Sequence, residues 1–432
     1  MIKRTVDTFL EQWISKEIRK PLIIRGARQV GKTFSVDQFG KSFKNYIKVD
    51  FEESPSYKKL FEKDLDVKKI TAQICALRGV PLSPETTLLF FDEIQECPEA
   101  IKALRYYYEK FPEICVIAAG SLLEFNFSNF SFPVGRVDFY WMYPITFMEF
   151  LHAKKTGPLT PSIPDLDSTE PVPDLIHEKL LDSLKEYYII GGMPEAVQTY
   201  IDDPSFTRVA EIHRSIIFSY IEDIAKHYPR TDKELISQVF FNCARNVGRQ
   251  TKYARLVKGE RSERVKAVVE KFYKILLVHP VYASNGEHPF KVSSNRKLLK
   301  LAFLDIGLMQ TACGVSFEES ILEADLMATF EGALAEQFVG QELIAGYTST
   351  PPELYYWTRR EQGGEAEIDF LIERNPVVPI EVKSDKAGRL RSMHQALIQF
   401  KDSPFGVVLS TRNIELLKEQ RLKFLPLYSR LW

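Results

Sequence analysis

Apolar and polar residues change rhythm several times along the chain, and each rhythm predicts an element. Leu22 to Ile24, inside RKPLIIRG, is a short apolar run of the kind found in strands buried on both faces. YIKVDFEE (Tyr46 to Glu53) predicts another strand, TTLLFFDE is apolar up to Asp92, and EICVIAAGS ends at Ser121. Segments of helical period separate them, so Pro21 to about Phe150 predicts a doubly wound parallel sheet. Further on, SERVKAVVEKFYKILLVHPVYAS places Val265, Val268, Val269, Phe272 and Leu276 on one helical face before running into a strand. EGALAEQFVGQEL stripes Leu334, Phe338 and Leu343 along a helix and leaves Glu336 off the stripe. EAEIDFLI and PIEVKS alternate as strands, and RLRSMHQALIQF closes the set as an amphipathic helix carrying Gln395. Residues 155 to 175, rich in Pro, Ser, Thr and Asp, read as an exposed loop or insertion.

Length and charge add bounds. A chain of 432 residues predicts two to four domains. With 45% hydrophobic and 27% charged residues it has the balance of a water-soluble globular protein. A net charge of −1 gives no global sign of nucleic-acid binding, so any cationic surface is local. Cys75, Cys97, Cys115, Cys243 and Cys313 are scattered and form no CxxC pair, so neither a zinc knuckle nor a disulfide framework is indicated. The first twenty residues lack the apolar core of a signal peptide, and no apolar run is long enough to span a bilayer. A cytoplasmic protein without a membrane partner is expected.

The first chemical motif follows the first strand. Gly26, Ala27, Arg28, Gln29, Val30, Gly31, Lys32 and Thr33 spell G-x-x-x-x-G-K-[ST], with Phe34 next. The glycines let backbone N–H groups close around phosphate, Lys32 supplies a positive charge, and the Thr33 hydroxyl ligates Mg²⁺. The helix from about Lys32 to Gln38 adds its positive end. Asp92, closing its apolar strand, would hold Mg²⁺ through water, with Glu93 placed to polarise the attacking water; the other reading of Asp-Glu after a strand is a helix N-cap. Ser121, at the tip of the next strand, reads either as a helix cap or, as the resemblance given below implies, as the residue that senses the γ-phosphate. ATP and Mg²⁺ are the expected cofactors.

RKPLIIRGARQVGKT, LLFFDEIQ, AAGSLL, FPVGRV, YPITFMEF and GGMPEAV occur in this order. The chain therefore resembles, over almost its whole length, the AAA-type P-loop ATPases of bacteria and archaea that carry a C-terminal domain of unknown function with a nuclease-like pattern. The resemblance implies a role for Arg136, either as an arginine reaching a neighbouring subunit's γ-phosphate, which would require a homo-oligomer, or as a surface arginine paired with a carboxylate. It also implies that the Gly191-Gly192-Met193-Pro194 break is the turn after a small helical lid. Asp305, in KLLKLAFLDIGL, reads as a turn or cap.

Between about Lys233 and Lys300 the cations outnumber the acids. Arg249, Lys252, Arg255, Lys258, Arg261, Arg264, Lys266, Arg296, Lys297 and Lys300 are among them. Helix, turn, helix and a basic ribbon predict either a winged helix docked on DNA or RNA or a solvated face packed on the ATPase core.

The tail resembles the PD-(D/E)XK nucleases. Glu336 from a helix, then Asp369, Glu381 and Lys383 from paired strands, fill that pattern. On this reading Glu336, Asp369 and Glu381 bind Mg²⁺ or Mn²⁺, Lys383 orients water or neutralises phosphate, and Gln395 faces the site. The other reading is a half-exposed strand pair with a cross-strand ion pair. The fold expected is α/β throughout. It comprises a P-loop AAA-type doubly wound sheet (1–155), a helical lid (176–228), a winged-helix-like middle (229–300) and a restriction-endonuclease-like α/β domain (301–432). The function expected is an ATPase coupled to a nucleic-acid-directed tail, or a nucleotide-regulated switch or protein-interaction module whose nuclease-like fold is inactive.

Overall fold

The first sheet is parallel and five-stranded, in the order β2-β3-β4-β1-β5. Its strands are β1 (Leu22–Arg25), β2 (Asn45–Asp50), β3 (Thr87–Asp92), β4 (Cys115–Gly120) and β5 (Asp138–Trp141). The computed structural model describes residues 2–121, 135–229, 231–315, 324–361, 364–383 and 390–432, with backbone alone for 324–331, 360–361 and 364. Both faces of this sheet are covered, as parallel strands require. Leu22, Ile24, Leu88 and Phe90 point into one core, while Ile23, Leu89 and Phe91 point into the other. The alternation explains why the β3 sequence reads as continuously apolar: all six residues are buried.

A helical middle follows, comprising Asp174–Ile190, Pro194–Asp202, Phe206–His227, Lys233–Arg245 and Ser262–Lys274. In the last of these Val265, Val268, Val269 and Phe272 are buried, the face that periodicity marks out.

The second sheet is mixed and eight-stranded, in the order β12-β13-β11-β10-β9-β8-β6-β7. Its members are β6 (Val278–Ser284), β7 (Ser294–Phe303), β8 (Leu354–Glu361), β9 (Gly364–Ile372), β10 (Val378–Val382), β11 (Gly406–Ser410), β12 (Glu415–Leu417) and β13 (Leu422–Pro426). The basic ribbon β6–β7 is therefore not a free wing. β6 pairs in parallel with β8 and joins the ribbon to the tail sheet. Pairing of backbone N–H and C=O along that edge satisfies groups that a free wing would leave to water.

One continuous core runs from the first sheet through the middle helices into the tail, taking in Trp13, Tyr187, Phe240, Phe338 and Tyr356. The segment 155–175 helps to tie the ends together. Ile163, Leu166 and Val172 are buried, Asn413 and Val172 exchange two hydrogen bonds (2.9 and 2.6 Å), and Lys423 donates to the Leu166 carbonyl at 2.6 Å. Much of the segment is exposed, as expected, but these buried side chains anchor it to the tail. Beyond the short 3-10 helix Gly157–Ser162 its backbone is largely irregular, and irregular backbone buries well where side chains from elsewhere satisfy it. Among the described residues no helix is long and apolar enough to cross a membrane.

Candidate functional site

β1 delivers the chain to the glycine-rich loop, and the helix Lys32–Gly40 leaves from it. Gly31 sits at φ +95°, a left-handed conformation that costs a side-chain-bearing residue, and Gln29 shares that region at φ 62°. Gly26 is needed for space: a Cβ there would lie 2.3 Å from the Met142 carbonyl oxygen.

Lys32 is buried, and its Nζ donates to the carbonyls of Gly26 (3.0 Å) and Ala27 (2.8 Å). Burial lowers its pKa to about 8 against the opposing charges of Glu93 and Asp92. The Thr33 hydroxyl donates to Asp92 Oδ2 at 2.8 Å, and Lys48 Nζ lies 3.3 Å from the same oxygen. Burial raises the Asp92 pKa. Glu93 takes a left-handed φ of 46°, and the Gln95 amide donates to its carboxylate at 2.5 Å. Ser121, at the carboxyl end of β4, is buried, and among the described residues its Oγ has no hydrogen-bond partner. Residues 122–134, which include the continuation of AAGSLL and the start of the VGRV turn, lie outside the described residues.

A cavity of about 700 Å³ opens over this loop. Arg28, Gln29, Gly31, Lys32, Thr33, Phe34 and Glu93 line one side, and Ile145, Pro194, Gln198 and Tyr220 line another. Arg136 is not among the lining residues. It is exposed, and its Nε donates to Glu109 at 2.9 Å.

Three supports of the loop were not legible in the sequence. Arg4 is buried, pairs with Glu149 at 2.9 Å, and donates to the carbonyls of Val30 (3.2 Å) and Tyr143 (2.7 Å). Tyr220 donates to the Arg28 carbonyl at 2.7 Å, and Lys48 reaches Asp92. No motif marks them, because each reaches the loop from a distant element.

The Gly191-Gly192 break is a packing device. Gly191 has φ +68°, and a Cβ on Gly192 would lie 2.2 Å from the Ile145 carbonyl. Asp305 is the helix cap expected: it accepts from Leu308 N at 2.9 Å and from Gly192 N at 2.5 Å.

In the tail, β9 and β10 form the expected antiparallel pair, with Ile380 opposite Phe370. Asp369 Oδ2 accepts from the Val382 N–H at 2.8 Å. The acids nevertheless divide between two lysines. Lys300 Nζ lies 2.6 Å from Glu367, 3.0 Å from Glu336 and 3.4 Å from Asp369. Lys383 Nζ lies 2.6 Å from Glu381 Oε1, while Glu381 Oε2 is buried without a partner. Burial, then the Asp369 charge, raises the Glu336 pKa. Burial alone would lower the Lys300 pKa, but the three carboxylates outweigh it and hold the ammonium above its ordinary value. Gln395 is half-buried on the helix Arg391–Gln399.

The two donor sets fare differently as metal sites. Thr33 and Asp92 bring two hard oxygens together at the mouth of the loop and suit Mg²⁺. Glu336, Asp369 and Glu381 do not suit it, because Lys300 already holds Glu336 and Asp369 while Lys383 holds Glu381. Among the described residues no group of three or more His, Cys, Asp or Glu could hold a metal ion.

Comparison with known proteins agrees with the first site. Residues 18–151 match the family described as an AAA domain. Residues 181–319 and 331–429 match two domains of unknown function, DUF8612 and DUF4143. An uncharacterized protein of Haemophilus influenzae is 26% identical over 276 residues, 61% of this chain and 61% of its own length. The chain thus spans about three fifths of that curated relative. Among solved structures, the Walker-type ATPase PABY2304 of Pyrococcus abyssi is 15% identical, with a TM-score of 0.46 over 72% of this chain and 96% of that one. The Orc1 protein of Aeropyrum pernix, solved in complex with DNA, is 11% identical, with a TM-score of 0.30 over 73% and 92%. Residues 18–151 thus match an AAA domain that contains the G-x-x-x-x-G-K-T loop, and two domains of unknown function are matched after it.

Proposed function

We propose that this chain binds Mg–ATP over the loop Gly26–Phe34, hydrolyses it, and passes its nucleotide state to the tail. The observation that supports this most is the Thr33–Asp92 contact at 2.8 Å beside a buried Lys32. Thr33 and Asp92 would hold Mg²⁺, which would offset the negative charge that develops on the phosphate. Loop N–H groups cradle the phosphates, and Lys32 turns from its own carbonyls to meet them. Glu93, held by Gln95, accepts a proton from water as that water attacks the γ-phosphorus. The bond between the γ-phosphorus and the bridging oxygen breaks, leaving ADP and inorganic phosphate. The unpartnered Ser121 hydroxyl offers a donor to the γ-phosphate. Arg136, paired with Glu109 in its own chain, serves a neighbouring active site only if that pair opens.

For the tail, the charge pairing favours the switch reading over the nuclease. Lys252, Arg255, Lys258, Arg261, Arg296 and Lys297 are exposed around the middle helices and β7, which supports DNA or RNA as the bound partner. Phosphate release by wild type, Lys32→Ala and Glu93→Gln tests the ATPase. Loss of turnover in both variants, with ATP still bound by Glu93→Gln, is expected. Wild-type turnover in Glu93→Gln would sink the reading.

A further inference from the structure

A lysine inside a strand of apolar residues, as in LLKLAF, is costly unless something pairs with it. Lys300 is 1% exposed. Its ammonium meets three carboxylates from two other elements: Glu336 on the helix Ala324–Ala345 and Glu367 and Asp369 on β9. The ring of Tyr356 lies 5.2 Å away, closing another side with an electron-rich face. Gly248 makes room for Glu336, since a Cβ there would sit 2.6 Å from its carboxylate oxygen.

We propose that Lys300 is the resident cation of the tail cluster, taking the place a divalent ion would need among Glu336, Glu367 and Asp369. The cluster is then a structural hub that fastens β7 to β9 and to the helix Ala324–Ala345, with no divalent ion bound. The two carboxylates that a metal would share, Glu336 and Asp369, both spend an oxygen on the same ammonium. The other oxygen of Asp369 is occupied by the Val382 N–H, and Glu381 is turned to Lys383. A divalent ion entering here would have to displace an ammonium that has no water to retreat to. This inference does not depend on the ATPase reading.

The test uses the full chain with the loop site silenced by Thr33→Ala and Asp92→Asn, and Mn²⁺ as the probe, read by the loss of free-ion electron paramagnetic resonance signal. With Lys300 in place, no Mn²⁺ binding that depends on Asp369 is expected up to roughly 1 mM. Lys300→Met, which keeps bulk and removes charge, is expected to gain a Mn²⁺ site, tighter by about tenfold or more, that Asp369→Asn abolishes. Lys300→Met is also followed by thermal denaturation, where rescue of its melting temperature by Mn²⁺ supports the same conclusion. Asp369-dependent Mn²⁺ binding with Lys300 intact would overturn the proposal whether or not the Met variant folds. So would a folded Lys300→Met that takes up no Mn²⁺.

Discussion

The Thr33 hydroxyl and the Asp92 carboxylate meet at 2.8 Å, although one lies on the helix Lys32–Gly40 and the other closes β3, 59 residues on. That contact brings the phosphate loop and the acid strand to one point. Removing either oxygen donor should weaken Mg²⁺ dependence more than nucleotide binding. For Glu93→Gln, kcat should fall by about 10²- to 10⁴-fold, the usual worth of a positioned base, with KM nearly unchanged. Steady-state phosphate release across a Mg²⁺ series checks both statements.

The buried Lys32 makes ATP binding pH-dependent. Its free-state pKa of about 8 lies below the ordinary lysine value because burial disfavours the ammonium. Arriving phosphates restore that charge, so above pH 8 binding takes up a proton. Affinity should be flat below pH 8 and weaken by up to about tenfold per unit above it. In the nucleotide-free protein the sign is reversed for stability. The depressed pKa costs stability at low pH, where the buried group must carry charge, and the cost disappears as pH rises above the unfolded value. Titration with a fluorescent ATP analogue at pH 7, 8 and 9 measures the first effect.

Two glycines of the loop should fail for different reasons. Gly26→Ala drives a Cβ against the Met142 carbonyl, which is backbone and cannot turn aside. Gly31→Ala has ordinary van der Waals room, with Met142 Cε at 3.6 Å, but strains φ +95°. Gly31→Ala should cost about 1–2 kcal/mol, and Gly26→Ala more, about 2–3 kcal/mol, with loss of ATP binding. Denaturant melts of the two variants give the comparison.

Gln341 is the joint between the two ends. Its Oε1 accepts from Ile306 N at 2.8 Å and its Nε2 donates to the Tyr187 hydroxyl at 2.8 Å. Tyr187 in turn donates to the carbonyl of Ile145, which lines the nucleotide cavity. The helix that carries Gln341 also carries Glu336 and offers Glu342 to Phe147 N. Gln341→Leu orphans buried polar groups and should destabilise by about 2–4 kcal/mol. It should also abolish any change in hydrogen exchange that an ATP analogue produces in β9. A tail that responds equally in wild type and variant would remove Gln341 from the path.

Local features were legible in the order of residues. Strand, glycine loop and helix follow one another from Leu22 to Gly40, so the residues proposed to cradle phosphate were legible from spacing alone. Asp92 was legible because a fully buried strand needs apolar residues up to its end, which leaves the closing acid conspicuous. Helix faces such as Val265, Val268, Val269 and Phe272 were legible for the same reason, a period imposed by burial. Tertiary structure decided the rest. Lys300 reads as one more cation of a basic stretch, and only sheet pairing and helix packing bring it to Glu336 and Asp369, 36 and 69 residues on. Arg4 joins Glu149 across 145 residues on the same terms. Charge carries no period, so a sequence shows that a carboxylate and a lysine exist but not that burial will make them partners.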